Sequence, residues 1–437
     1  MRMRPIPCVQ EQHEGQGAGG VLWQGESAAC APDLLAAYAG QVQVVYLDPP
    51  FFTGQRFTMR MRVGEAGWRT GSPALALTAY SDVWADQAAY LAMMRGMLET
   101  AHALLKPDGT LFLHIDTRMS AQLRLLLDDI FGAQHFLNEI VWAYQTGGRS
   151  VHHFSRKHDV LLFYRKSRQY YFDITAVPVS REENRSNHMK RSVDADGRSY
   201  RTIRSGGKEY VYYDDAPAYP GDVWQDVSHM QQKDPQRTGY DTQKPMKLLE
   251  RVVLCASRPG DLVADLCFGS GTTLVAAAQH GRRFLGVDSS PHAHAVGRKR
   301  LLGCAMRVHG AGARGEADDE ACWAEATLQP GIGFFEATLA AYGLGAPGAQ
   351  ARAAGLAQAP EPAGLDAVDQ WSIGFLREGV FVPMAHAART RVAPVLPCTL
   401  EMPMLWGLPC LCVVDILGGK RMYTWEGQTD CPGGADE

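Results

Sequence analysis

No run of 18 or more apolar residues occurs in the 437-residue chain, so no transmembrane helix is expected. The nearest candidate, residues 394–417, is broken by Glu401, Asp415 and four prolines. Residues 1–20 hold no apolar stretch of the kind a secretion signal needs. The ten cysteines form no C-x-x-C pair and have no regular spacing, which excludes a disulfide scaffold and points to reduced thiols in the cytoplasm. A G-x-x-x-x-G-K-[ST] loop is missing, so no ATP-driven motor is fused to the chain. There is no surplus of positive charge either: 43 Lys and Arg face 47 Asp and Glu, a net charge of −4. A histone-like binder is excluded, and any contact with a polyanion has to come from a local patch. No metal is expected. The histidines at 152, 153, 158, 229, 292 and 294 have no ligand spacing; Cys398, Cys410 and Cys412 with His386 offer zinc-ligand types, but Cys410 and Cys412 read as residues on one side of a strand.

What is present is an ordinary globular composition, 46% apolar and 21% charged, long enough for two or three domains. Residues 42–50 read as a buried strand stopped by two prolines. A helix follows over 85–105, with residues 51–78 between them irregular. Strands are expected at 110–115, 139–144 and 159–164, and a helix at 122–131. Over 165–210 eleven Lys and Arg stand against six Asp and Glu, with tyrosines interleaved, and the periodicity fades until about residue 240. Alternation then returns as helix 246–256, strand 261–266, a helix to 280, strand 283–287 and helix 291–302. Strands alternating with helices on short loops imply a mostly parallel sheet covered on both faces. Residues 1–310 therefore form the main α/β domain, with 165–240 as an insertion. Residues 311–370, rich in alanine, read as a loose connector with helix possible at 334–342. Residues 371–437 read as a small β module with a hairpin turn at Gly418-Gly419.

Two loops carry chemistry. Phe268-Gly269-Ser270-Gly271-Thr272-Thr273 follows a buried strand and opens a helix. Glycines there let a ligand approach the backbone, and the helix start offers free N–H donors. About 20 residues on, the next strand ends in Asp288, which can accept both hydroxyls of a ribose. The missing third glycine favours a single nucleoside over a dinucleotide. Alone, such a turn can also serve only to pack helix on strand. The second loop is Asp48-Pro49-Pro50-Phe51. Its carboxylate, its rigidly directed carbonyls and its flat apolar ring suit a planar amino-heterocycle, although an isolated Asp-Pro-Pro can be just a strand-ending turn.

With both loops on one chain and Asp-Pro-Pro-Phe first, the sequence resembles the β class of the S-adenosylmethionine-dependent DNA amino-methyltransferases that act on adenine N6 or cytosine N4. The resemblance covers about residues 20–305 and extends to Lys106-Pro107-Asp108-Gly109, Trp142, the segment from His158 to Tyr164, and Thr242-Gln243-Lys244-Pro245. It implies a Rossmann-like methyltransferase sheet with a circularly permuted motif order. Asp265, Phe268, Gly269, Ser270, Gly271, Thr272 and Thr273 would line the cofactor, S-adenosylmethionine. Asp288 would take its ribose, and Gln243, Lys244 and Pro245 would close the pocket from the other side. Asp48, Pro49, Pro50 and Phe51 would hold the target base. Phe51 stands where the family most often has Tyr, and Phe52 where Asn often precedes Thr-Gly.

The resemblance makes double-stranded DNA the substrate and 165–240 the segment that recognises its sequence. A base inside a duplex has to swing out to reach such a pocket. Asp at position 48 favours adenine N6, with cytosine N4 as the alternative. Further rivals are a methyltransferase for RNA or small molecules and a catalytically silent DNA-binding module. A restriction endonuclease of matching specificity and a second copy of the chain are the expected partners.

Overall fold

The computed structural model describes residues 3–69, 72, 74–144, 150–179, 190–231, 234–310, 322–344 and 364–425. Val42–Leu47 is buried along its whole length, and its side chains alternate between two apolar layers. Val44 and Tyr46 join Phe112, Val263 and the helices Met246–Ala256 and Thr272–Gln279. Val45 and Leu47 join Leu111, Leu113 and the helices Gln87–Leu104 and Ser120–Phe131. A strand buried on both sides reads as a continuous apolar run, and this one does.

Gly20–Gln24, Arg283–Asp288, Leu262–Asp265, Val42–Leu47 and Leu105–Ile115 lie side by side in that order, all parallel. His158–Arg165 then runs antiparallel, Phe136–Ala143 reverses again, and Val223–Trp224 forms the edge. The expected mostly parallel sheet with helices on both faces is therefore present. Two strands far apart in sequence, Val42–Leu47 and Leu262–Asp265, are direct neighbours, with Val44 beside Val263 and Val45 beside Ala264. Both end at the same edge of the sheet.

The structure corrects several expectations. Residues 51–78 are not irregular throughout: Arg56–Met61 and Leu75–Ser81 pair as an antiparallel hairpin. Phe57, Met59 and Met61 alternate with polar residues, a period-two pattern hidden by the arginines around it. The segment 334–342 is strand, not helix. In Phe334–Gly343, Phe335, Ala337 and Leu339 point into one core, so burial on alternate positions overrides the helix propensity of alanine. Trp323–Pro330 and Thr399–Pro403 flank it. Within 165–240, Lys190–Val193, Ser199–Ser205 and Lys208–Tyr213 form a three-stranded antiparallel sheet.

The Gly418 turn does join Leu408–Asp415 to Lys420–Thr424. These strands extend the parallel sheet rather than standing apart. Gln10–His13 pairs with Met306–His309 on one side and Val380–Ala388 on the other, and Arg4–Ile6 pairs with Lys420–Thr424. Among the described residues, fifteen strands thus run in one sheet. At the seam, buried Glu11 meets Arg298, Lys420 and His13. Among the described residues no helix is long and apolar enough to cross a membrane.

Candidate functional site

Because Val42–Leu47 and Leu262–Asp265 are parallel neighbours, the turns that follow them open side by side. A single cavity of about 740 Å³ runs between them. Asp48 and Pro50 line it from one turn, and Asp265, Phe268, Gly269, Ser270, Thr272 and Thr273 from the other. Asp288 lines it too, together with Tyr80, Tyr240 and Lys244.

The glycine turn is built by its own backbone. Gly269 and Gly271 take φ of +49° and +74°, and Gly271 starts Thr272–Gln279 from the left-handed region, where a Cβ is costly. A Cβ on Gly269 would also lie 3.3 Å from the Tyr240 ring. Asp265 accepts from the Thr273 hydroxyl at 2.7 Å and from the Cys267 N–H at 3.1 Å. Burial raises its carboxyl to about 7, those two donors oppose the rise, and the nearby charges of Asp48 and Asp288 add to it. Asp288 accepts from the Gly269 N–H and from the Ser290 N–H, each at 2.8 Å. Burial raises its carboxyl to about 6 against those two bonds. An ionised carboxylate has about four acceptor sites, so two remain for a diol. Beneath the turn, Arg300 donates to the Ser270 carbonyl at 2.7 Å and to the Thr272 hydroxyl at 3.0 Å.

The Asp-Pro-Pro-Phe turn is held from behind by Asp82, which the sequence reading passed over. This fully buried carboxylate accepts from the backbone N–H groups of Phe51, Phe52 and Thr53, from the Thr53 hydroxyl and from the Trp84 indole, at 2.7–3.1 Å. Those bonds hold Phe52 at φ +60°, a conformation that side chains seldom adopt. The Tyr90 hydroxyl donates to the Pro50 carbonyl at 2.8 Å. Tyr46 and His114 share a 2.7 Å hydrogen bond, and His114 lies 3.3 Å from Asp159 and 5.8 Å, ring to ring, from Phe51.

The expected residues are not all equivalent in the structure. Lys244 reaches Asp48, its ammonium 2.6 and 2.5 Å from the two carboxylate oxygens and 5.2 Å from the centre of the Phe51 ring. Gln243 is turned away from the cavity. Its carbonyl accepts from the N–H and hydroxyl of Thr238 and its amide donates to the Gln236 carbonyl, so it shapes the loop that carries Tyr240 and Lys244. Pro245 is the residue before Met246–Ala256 and, like Pro49, Phe51 and Gly271, is not among the residues that line the cavity. The turn from Gly25 to Ala28, after Gly20–Gln24, lines it unexpectedly. Its signal was faint: one glycine after a five-residue strand. Among the described residues no three His, Cys, Asp or Glu side chains gather as a metal site.

The lining as a whole suits a cationic nucleoside. Four carboxyl side chains, Glu26, Asp48, Asp265 and Asp288, and a helix start surround a glycine cradle, and the volume is in the range of small-molecule sites. A family model described as DNA methylase matches residues 42–299. The chain is 27% identical over 326 residues to the type II methyltransferase M.EcaI of Enterobacter cloacae, covering 64% of this chain and 68% of that protein. It is 24% identical to the DNA adenine methyltransferase YhdJ of Escherichia coli, covering 60% of this chain and 77% of that protein. The match to M.HpaI of Haemophilus parainfluenzae, at 26% identity, covers 48% of this chain and spans 59% of that protein. A solved structure, the cytosine-N4-specific PvuII DNA methyltransferase, superposes with a TM-score of 0.44 at 16% identity over 68% of this chain and 90% of that one. With the family model matching more than half of its length, the chain belongs to the N6-adenine and N4-cytosine DNA methylases, amino-methyltransferases that use S-adenosylmethionine.

Proposed function

We propose that this protein methylates the N6 amino group of an adenine swung out of duplex DNA. One observation carries the reading: the ammonium of Lys244 sits against both oxygens of Asp48 and near the face of Phe51. A nitrogen with several N–H bonds is thus already accommodated where a target amine has to be. Lys244 stands in for that amine and gives way when the base enters.

S-adenosylmethionine supplies an electrophilic methyl group on a sulfonium. Phe268, Gly269 and Thr272 hold it against the helix start, and Asp288 takes the ribose hydroxyls. On the other side, the amine of adenine is a poor nucleophile because its lone pair is delocalised into the ring. Asp48 accepts one N–H and the Pro49 carbonyl the other, which draws the nitrogen toward tetrahedral geometry. The lone pair then faces the cavity; the N–C bond would form as the S–C bond of the sulfonium breaks, leaving a neutral thioether, and the surplus amine proton would leave through Asp48 to water. Asp48 stabilises the positive charge that grows on the nitrogen, and the rigid turn fixes its geometry beforehand. Phe51 stacks on the base, worth about 1–3 kcal/mol.

A carboxylate at position 48 favours adenine over cytosine, and YhdJ, a relative with an adenine activity in its name, is consistent with it. The three-stranded sheet within 165–240, with Arg191, Arg201, Arg204 and Lys208, is the proposed reader of sequence. An endonuclease of matching specificity is the proposed partner.

The experiment is transfer of labelled methyl from S-adenosylmethionine to duplex DNA, followed by digestion to nucleosides. N6-methyladenine is the expected product. N4-methylcytosine would overturn the base assignment, and label in RNA but not in DNA would overturn the substrate.

A further inference from the structure

The cavity leaves one conspicuous side chain unused. Residues 150–157 cross the edge of the sheet at which Asp48 lies and lead into His158–Arg165, which runs opposite to Leu105–Ile115 and so to Val42–Leu47. In that crossing Phe154 is 99% exposed, the most exposed aromatic among the described residues, and Val151 beside it is 92% exposed. A large apolar side chain left fully in water gains nothing from burial in the free protein.

The turn nevertheless keeps it there. The Ser150 hydroxyl accepts from the N–H groups of His152 and His153, each at 3.3 Å. The Ser150 N–H donates to the Ser155 hydroxyl at 3.2 Å, and the His153 ring bonds the Phe154 carbonyl at 2.9 Å. These bonds brace the tip without covering the phenyl ring.

The root of the crossing reaches the proposed seat of the base. Tyr144 donates to Asp159 at 3.2 Å, Asp159 lies 3.3 Å from His114, and the His114 ring lies 5.8 Å from Phe51. Arg156 adds positive charge close to Asp116 on the same rim. A braced apolar tip, followed two residues on by a cation and linked to Phe51 through Tyr144, Asp159 and His114, matches the chemistry of a gap between stacked bases bordered by phosphates.

We propose that Phe154 enters the base stack as the target base leaves it, filling the vacated space and stacking on the bases that remain. The inference rests on duplex DNA being the substrate, and it adds a residue that acts on the duplex rather than on the methyl group. Phe154 is a positioning residue.

The test compares the full-length protein with Phe154→Ala and Phe154→Trp. The probe is a duplex oligonucleotide carrying the site mapped in DNA of an expressing host. A second duplex has an abasic position opposite the target, so that the target is already loosened. On the intact duplex Phe154→Ala is expected to lower kcat/KM for methyl transfer about 10- to 100-fold, the scale of one lost aromatic stack. On the abasic duplex the loss shrinks to less than about threefold, and Phe154→Trp stays near wild type on both. A 2-aminopurine at the target brightens with the wild type and not with Phe154→Ala. Equal losses on the two duplexes, or no loss on either, would overturn the wedge while leaving the methyltransferase reading standing. A wild-type protein that methylates neither duplex would sink the DNA reading and the wedge with it.

Discussion

The sheet edge that bears Asp48 and the glycine turn differs in kind from the three-stranded sheet of Lys190–Val193, Ser199–Ser205 and Lys208–Tyr213. At the edge each turn is fixed from several sides: Asp82 and Tyr90 hold one, and Asp265, Asp288 and Arg300 hold the other. In the small sheet Tyr210 and Val211, neighbours that point to opposite faces, are both exposed. Its ion pairs, such as those of Arg191 and Arg201 with Asp214, are at least partly in water. On the proposed assignment, the contrast means that chemistry is preorganised, whereas recognition is left to a surface that a partner has to complete. Altering the edge should change rate constants at saturating DNA. Altering the small sheet should change affinity and its dependence on salt.

The largest expected effect is at Asp48. Asp48→Ala should lower kcat by at least about 10²–10³-fold, the cost of removing one preorganised group at the reacting centre. Calorimetry should find binding of S-adenosylmethionine nearly intact. Turnover near wild type at saturating cofactor would end the role given to this carboxylate.

Asp82→Ala comes next. It leaves several buried donors without an acceptor and should cost about 3 kcal/mol of stability, read by denaturant titration. It should also lower kcat while cofactor affinity holds, because only the Asp48 turn is loosened. Asp82→Asn, which keeps one acceptor oxygen, should recover part of both. Unchanged stability in the alanine variant would show that the turn stands without its brace.

Titration sharpens the contrast further. Burial holds the Asp288 carboxyl near 6 and that of Asp265 near 7, both above the ordinary carboxylate range. The cofactor-free fold therefore gains stability from these groups as pH falls from about 7 toward 4, and loses it as pH rises through 6 to 7. Cofactor affinity follows the opposite trend, since Asp288 has to be ionised to accept from a ribose diol. It should weaken about tenfold for each pH unit below 6. Asp288→Asn should abolish that slope. A flat affinity profile from pH 5 to 8 in the wild type would count against ribose binding at Asp288.

The smallest effect belongs to the small sheet. Arg204→Ala should weaken DNA binding a few-fold and reduce the salt slope by about one phosphate contact. It should leave kcat at saturating DNA unchanged. A large fall in kcat would mean that the small sheet takes part in chemistry after all.

What could be read from the sequence follows the same division. Asp48-Pro49-Pro50 and Gly269-Ser270-Gly271 announce themselves because their backbones need those residue types, whatever surrounds them. Strands buried on both sides, such as Val42–Leu47, are equally plain. Asp82 is invisible in sequence, since its role arises only when the chain folds back some 30 residues onto the Phe51 N–H. The turning of Gln243 toward Thr238 and Gln236 is a choice between two hydrogen-bonding surroundings that no local pattern encodes. In Ser199–Ser205 and Lys208–Tyr213 no face is buried throughout, so no alternation betrays the strands. Phe57, Met59 and Met61 did alternate, and the hairpin they form was legible though unread.

The seam at Glu11 bears on how the molecule comes into being. Its partner Lys420 is made about 400 residues later, and Gln10–His13 lies between Met306–His309 and Val380–Ala388. During synthesis the early segment has to wait, its sheet edge open, until partners some 370 to 410 residues further along have left the ribosome. Closing so distant a contact is slow, and an open strand edge invites pairing with other molecules. Yield of native protein should thus depend on chaperones and on growth temperature more than the orderly parallel half alone would suggest.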